Sequence, residues 1–83
     1  MKRTYVRVLG APREIAVTTN RAGTPTAVGG RQVDQLRDEW RVEEGWWTAR
    51  PVHRTYFDLV MADGRNTVVF HDRRGGLWYA QRG

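Results

Sequence analysis

The chain has 83 residues, no cysteine, no serine and a net charge of +5, and thirteen of its fourteen basic residues are arginine. Those totals exclude disulfide and thiolate-zinc frameworks and serine or cysteine nucleophiles. Residues 1–83 read as one domain with a small core, for which the nine aromatic residues are the obvious material. No stretch approaches the ~20 apolar residues of a membrane span, and the N-terminal stretch lacks the apolar run of a signal peptide. The expectation is a cytoplasmic protein that does not engage a membrane.

Charge is unevenly placed. Residues 1–33 carry a net +5, residues 34–44 a net −3 and residues 45–83 a net +3. Arginine's planar fork suits phosphate, nucleic acid and interface contacts, although a GC-rich coding sequence explains the bias equally well. The acidic island argues against a surface that coats nucleic acid uniformly. It suits a basic partner, or this chain's own arginines.

In chain order, residues 4–9 alternate, with Thr4, Val6 and Val8 opposite Arg3, Tyr5 and Arg7, and read as a half-buried strand. Gly10-Ala11-Pro12 breaks it. Residues 13–19 alternate again, with Ile15 and Val17 inward. Asn20-Arg21-Ala22-Gly23-Thr24-Pro25 is turn chemistry. Residues 26–28 form a short strand, and Gly29-Gly30 marks a hairpin. Residues 31–42 are ambiguous. Val33, Leu36 and Trp40 are spaced three and four apart, a helical stripe that favours a turn or two of helix near 32–39. A strand there needs a bulge to accommodate Asp34 and Asp38.

Glu43-Glu44-Gly45 is a turn. Trp46 and Trp47 are adjacent, so on a strand they point to opposite faces. Pro51 marks a strand start or an edge. Residues 52–62 form the clearest strand: His53, Thr55, Phe57, Leu59 and Met61 share one face, and Arg54, Tyr56, Asp58, Val60 and Ala62 the other. Asp63-Gly64 fits a two-residue type I′ turn. Residues 66–72 return, with Val68 and Phe70 on one face. Arg73-Arg74-Gly75-Gly76 turns once more, and residues 77–81 form the last strand, with Leu77 and Tyr79 opposing Trp78 and Ala80. About six short strands with regular turns give an all-β fold: a strongly bent antiparallel sheet or an SH3- or OB-like barrel.

Several constellations bear on chemistry. Trp46–Trp47, Tyr56–Phe57 and Trp78–Tyr79 are adjacent pairs, so one member of each faces outward. Most aromatics serve the core, but outward members that cluster form a patch that binds something. With arginine, such a patch suits a protein partner or stacked bases of single-stranded DNA or RNA. His53 and His71 lie on neighbouring strands near Asp58, Asp63 and Asp72. Their spacing gives no metal signature, so no metal or cofactor is expected. Histidine with arginine can cleave RNA by acid–base chemistry, as small basic β-barrel ribonuclease toxins do, which keeps a ribonuclease-like enzyme as a minor alternative. The glycine pairs have neither Walker nor Rossmann spacing.

The second half carries a longer pattern: Trp40-Arg41-Val42, Trp46-Trp47, Arg54-x-Tyr56-Phe57, Asp63-Gly64, Val69-Phe70-His71-Asp72, Gly76-x-Trp78-Tyr79 and Arg82. It resembles an uncharacterised small bacterial domain family, which is similar to the C-terminal region of ImuB-type proteins, catalytically dead relatives of Y-family translesion polymerases. The resemblance implies a strand, not a helix, before the tandem tryptophans. It implies an adaptor for other mutagenesis or replication proteins and supplies no catalytic residues.

The reading is a non-enzymatic interaction module in DNA damage tolerance, with Trp46, Trp47, Arg54, Tyr56, Trp78 and Arg82 as contact residues for a protein partner. Single-stranded nucleic-acid binding is the alternative. An exposed edge strand also allows a homodimer.

Overall fold

The computed structural model describes residues 12–45, 47, 49 and 51–81. The strand expected at residues 4–9 lies outside them, as do Trp46 and Arg82. Seven strands follow: β1 (Arg13–Glu14), β2 (Val17–Thr19), β3 (Pro25–Val28), β4 (Arg31–Glu44), β5 (Val52–Met61), β6 (Asn66–Asp72) and β7 (Leu77–Gln81). All pairings are antiparallel, in the order β1-β7-β6-β5-β4-β3-β2. The sheet is strongly curled into a half-barrel. No helix of the described residues is long and apolar enough to cross a membrane.

The two edge strands, β1 and β2, are consecutive in sequence, with Ile15 and Ala16 between them. Ile15 donates its N–H to the Trp78 carbonyl on β7 at 3.0 Å, and the Ala16 carbonyl accepts the Gly29 N–H beside β3 at 2.7 Å. Residues 13–19, expected as one strand, therefore reach across the gap and hydrogen-bond to both ends of the curled sheet. Ile15 and Val17 pack on the core as their alternation requires.

That core lies on the inner face. Leu59 and Val69 are fully buried, and Val28, Phe57 and Met61 nearly so. Ile15, Val17, Val33, Leu36 and Trp78 close around them. Strand β5 supplies three of the five central residues, as its alternation predicts.

Three local expectations need attention. The Asn20 turn forms through the side chain: Asn20 Oδ1 accepts the Ala22 and Thr24 N–H groups at 2.9 and 3.0 Å, an Asx turn. The helical turn near 32–39 is absent, because those residues belong to β4. Its register against β5 slips by one residue at Asp34 and again at Arg37. Each bulge converts a spacing of two into one of three, so Val33 and Leu36 both face the core three residues apart, and Trp40 lies on the opposite face. The bulge at Asp34 thus gives Val33 and Leu36 a helix-like spacing, and the four-residue step to Trp40 completes the stripe in sequence only. The Asp63-Gly64 turn is not type I′, since no described non-glycine residue has positive φ. Instead the Gly64 N–H bonds the Met61 carbonyl and the Met61 N–H bonds the Arg65 carbonyl, both at 2.8 Å, with Gly64 at φ 89°. That is a three-residue loop ending in a glycine bulge.

Candidate functional site

The longer loop sets the register of everything beyond it. With three loop residues, Tyr56 pairs with Phe70 and Phe57 with Val69. The four-residue turn after Asp72 then places Phe70 against Tyr79. On the other side, Trp40 pairs with Tyr56. One row of rings therefore crosses four strands on the outer face: Trp40, Tyr56, Phe70 and Tyr79.

The rings touch in sequence. Trp40 and Tyr56 stack nearly parallel, with centroids 5.4 Å apart and planes 6° off parallel. Tyr56 meets Phe70 at 4.9 Å, and Phe70 stacks on Tyr79 at 5.1 Å. Each such pair contributes about 0.5–1.5 kcal/mol beyond its burial. The Arg54 guanidinium carbon lies 4.4 Å from the Phe70 centroid, and Arg54 Nη1 donates to the Tyr56 hydroxyl at 3.1 Å. Phe70 is therefore covered by two rings and a cation and is 2% exposed, whereas Trp40 at the β4 end is 40% exposed. The arrangement is rigid in its middle and open at that end.

Its flanks are polar and of both signs. Beside Trp40 and Tyr56, Asp38 stands directly opposite Asp58. Asn66 Nδ2 donates to Asp58 at 2.6 Å, and Asn66 Oδ1 accepts from Arg37 Nη1 at 3.0 Å. On the other flank an open groove of about 610 Å³ is lined by His53, Arg54, Asp72 and Arg74 among others. Asp72 Oδ1 accepts the Arg74 N–H at 3.0 Å and shapes the loop at the groove's rim. Within the acidic island, Glu43 pairs with Arg73. That hydrogen bond and its charge hold the Glu43 carboxyl below its ordinary value of 4.5.

The structure brings two of the six expected contact residues, Arg54 and Tyr56, into this row. Trp47 lies in the β4–β5 connection and is 70% exposed. Trp46 and Arg82 fall outside the described residues. Trp78 is on the opposite face: it stacks on His71 at 4.7 Å and tilts against Phe57 at 5.5 Å, walling the core. Tyr79, its neighbour, takes the outward place. Trp40, Phe70 and Tyr79 were not among the expected contact residues. The signal for Phe70 and Tyr79 was the length of the two turns, which fixes their register by counting outward.

His53 and His71 both lie on the inner-face side of their strands, and among the described residues no group of three or more His, Asp or Glu side chains is placed to hold a metal ion. Comparison with protein-family models, curated proteins and solved structures gives no significant match.

Proposed function

We propose that this chain is a non-catalytic interaction module that grips a protein partner through the outer aromatic face. The observation that carries the reading is the contiguous row of Trp40, Tyr56, Phe70 and Tyr79 with Arg54 laid across it. Folding needs large side chains on one face of a curled sheet, and here the inner face already supplies a core. Aromatic and arginine residues on a pre-formed surface dominate interface energetics. Asp38 and Asp58 beside the row favour a partner with basic or amide-rich contacts and oppose phosphate. The resemblance of residues 40–82 to ImuB-type C-terminal regions is what supports a partner in a bacterial mutagenesis or replication complex, and with it a cytoplasmic setting.

Affinity capture from cell extract with the wild-type chain and with Arg54→Ala and Tyr56→Ala tests this. A discrete protein is retained by the wild type and lost from both variants, each costing about 2 kcal/mol or more if it anchors the contact. Equal retention by all three proteins contradicts the reading.

A second reading has its own support. Stacked rings with arginine are also what single-stranded DNA or RNA binds, and the net charge is +5. Fluorescence anisotropy with labelled single strands at two salt concentrations separates the two. The protein-partner reading predicts no appreciable binding. Affinity that falls steeply with salt and disappears in Tyr56→Ala supports the nucleic-acid reading. RNA left uncut in the same samples disposes of a ribonuclease.

A further inference from the structure

The row of rings ends at β4, which lies between β5 and the short strand β3. Among the described residues, its side away from β5 is paired only by β3, at Gln32 and Arg31. Among the described residues, 33–44 therefore have no strand partner on that side, and most of their side chains are exposed. A long open edge is a template for another strand. The charges along it state which strand fits.

We propose that β4 pairs antiparallel with β4 of a second copy of this chain, with Trp40 on the two-fold axis. Outward-pointing backbone groups of an antiparallel edge recur every second residue, so self-pairing must set odd positions against odd and even against even. Centring on Trp40 meets that condition. It places Glu39 opposite Arg41 of the other copy, and Arg41 opposite its Glu39, by the two-fold symmetry. Asp38 then faces Val42, Arg37 approaches Glu43, and Trp40 meets its own copy.

The neighbouring registers fail. Centring on Glu39 sets Glu39 against Glu39 and Arg37 against Arg41. Centring on Arg41 sets Arg41 against Arg41 and Glu39 against Glu43. Like charges directly opposite destabilise a sheet, and opposite charges stabilise it. A register centred on Val42 matches Arg41 with Glu43 but leaves Trp40 facing Glu44.

In the Trp40-centred register the exposed ring, 40% accessible in the single chain, is covered. The two outer faces then join into one strip, Tyr79-Phe70-Tyr56-Trp40 continued by the same four rings in reverse. The bulge at Arg37, repeated at both ends by the two-fold axis, limits regular pairing to residues 38–42. This association does not depend on what the rest of the row binds.

Sedimentation velocity of the full chain, from micromolar concentration upward, tests it with three variants. The wild type shows a concentration-dependent monomer–dimer equilibrium. Glu39→Arg creates two like-charge pairs and weakens association roughly tenfold, and Arg41→Glu does the same. The double reversal Glu39→Arg with Arg41→Glu restores opposite charges and returns association to within about threefold of wild type. Far-UV circular dichroism confirms that the variants keep the fold, and either single variant suffices if the other fails to fold. A wild-type monomer at every concentration overturns the proposal. So does a dimer indifferent to Glu39→Arg, or a double variant that stays monomeric. A chain that remains monomeric while taking up an extended peptide along β4 overturns it in favour of strand addition from a different protein.

Discussion

The two faces of the sheet are cut from the same strands and are built differently. On β5, Phe57, Leu59 and Met61 point inward and are nearly fully buried, while Arg54, Tyr56 and Asp58 point outward and are half-buried. The inner face mixes aliphatic and aromatic shapes that close around one another. The outer face lines up rings in a file, gives the central one an arginine lid and ends on an exposed tryptophan. A core gains stability from close packing in every direction. A file of rings with hydroxyl and guanidinium groups attached keeps polar reach toward solvent. The difference teaches that strand alternation assigns side chains to faces, and residue chemistry then decides what each face is for.

The comparison breaks most visibly in the core. Leu59→Ala, at a fully buried position, is expected to cost about 2–5 kcal/mol, a large share of the ~5–15 kcal/mol that holds a small domain folded. Urea unfolding followed by tryptophan emission measures it. Next comes the hairpin that carries Val28 into the core. Gly29 adopts φ 57°, and a Cβ there would lie 3.2 Å from Ile15 Cδ1. Gly29→Ala is expected to cost about 1–2 kcal/mol for the left-handed backbone alone. Gly30→Ala, at φ 82° with open space around it, should show the backbone cost without a side-chain clash in the same assay.

On the outer face the ranking of effects reverses. Tyr56→Ala loses two ring contacts and an arginine hydrogen bond. It is expected to lower stability by less than Leu59→Ala does and to reduce partner capture by more than any inner-face change that leaves the fold intact. The smallest effect is electrostatic. Glu43's carboxyl titrates below its ordinary 4.5 because Arg73 hydrogen-bonds and attracts its charged form. The folded state therefore gains from the ion pair above pH 4.5, and the gain is lost as pH falls through the lower, folded value. Being exposed, the pair is worth little. Glu43→Gln should slightly flatten the acid limb of a melting-temperature-against-pH curve.

The all-β class, the strands expected at residues 52–62 and 66–72 and the shared face of Phe57, Leu59 and Met61 on β5 could be read directly from alternation. The register could not, because it turned on one residue. A two-residue Asp63-Gly64 turn would set Phe57 against Phe70 and send the whole of β6 to the wrong face. The three-residue loop sets Tyr56 against Phe70 instead. Residues 31–44 were obscured by a related cause, since bulges at Asp34 and Arg37 erase the period of two that marks a strand. Arg54 and Tyr56 were legible as outward residues of a strong strand. The inward side of β7 could not be read, because Leu77 and Tyr79 are as apolar as Trp78 and Ala80, so alternation alone does not choose the pair that faces the core.

The most direct test of the aromatic face as a protein-binding surface is site-specific photocrosslinking in living cells, with a benzoyl-phenylalanine in place of Tyr56. The account predicts a crosslink to a discrete protein from position 56 and none from the same group at Phe57, one residue along and on the inner face. A crosslink to nucleic acid from position 56, or equal yields from the two positions, would contradict it.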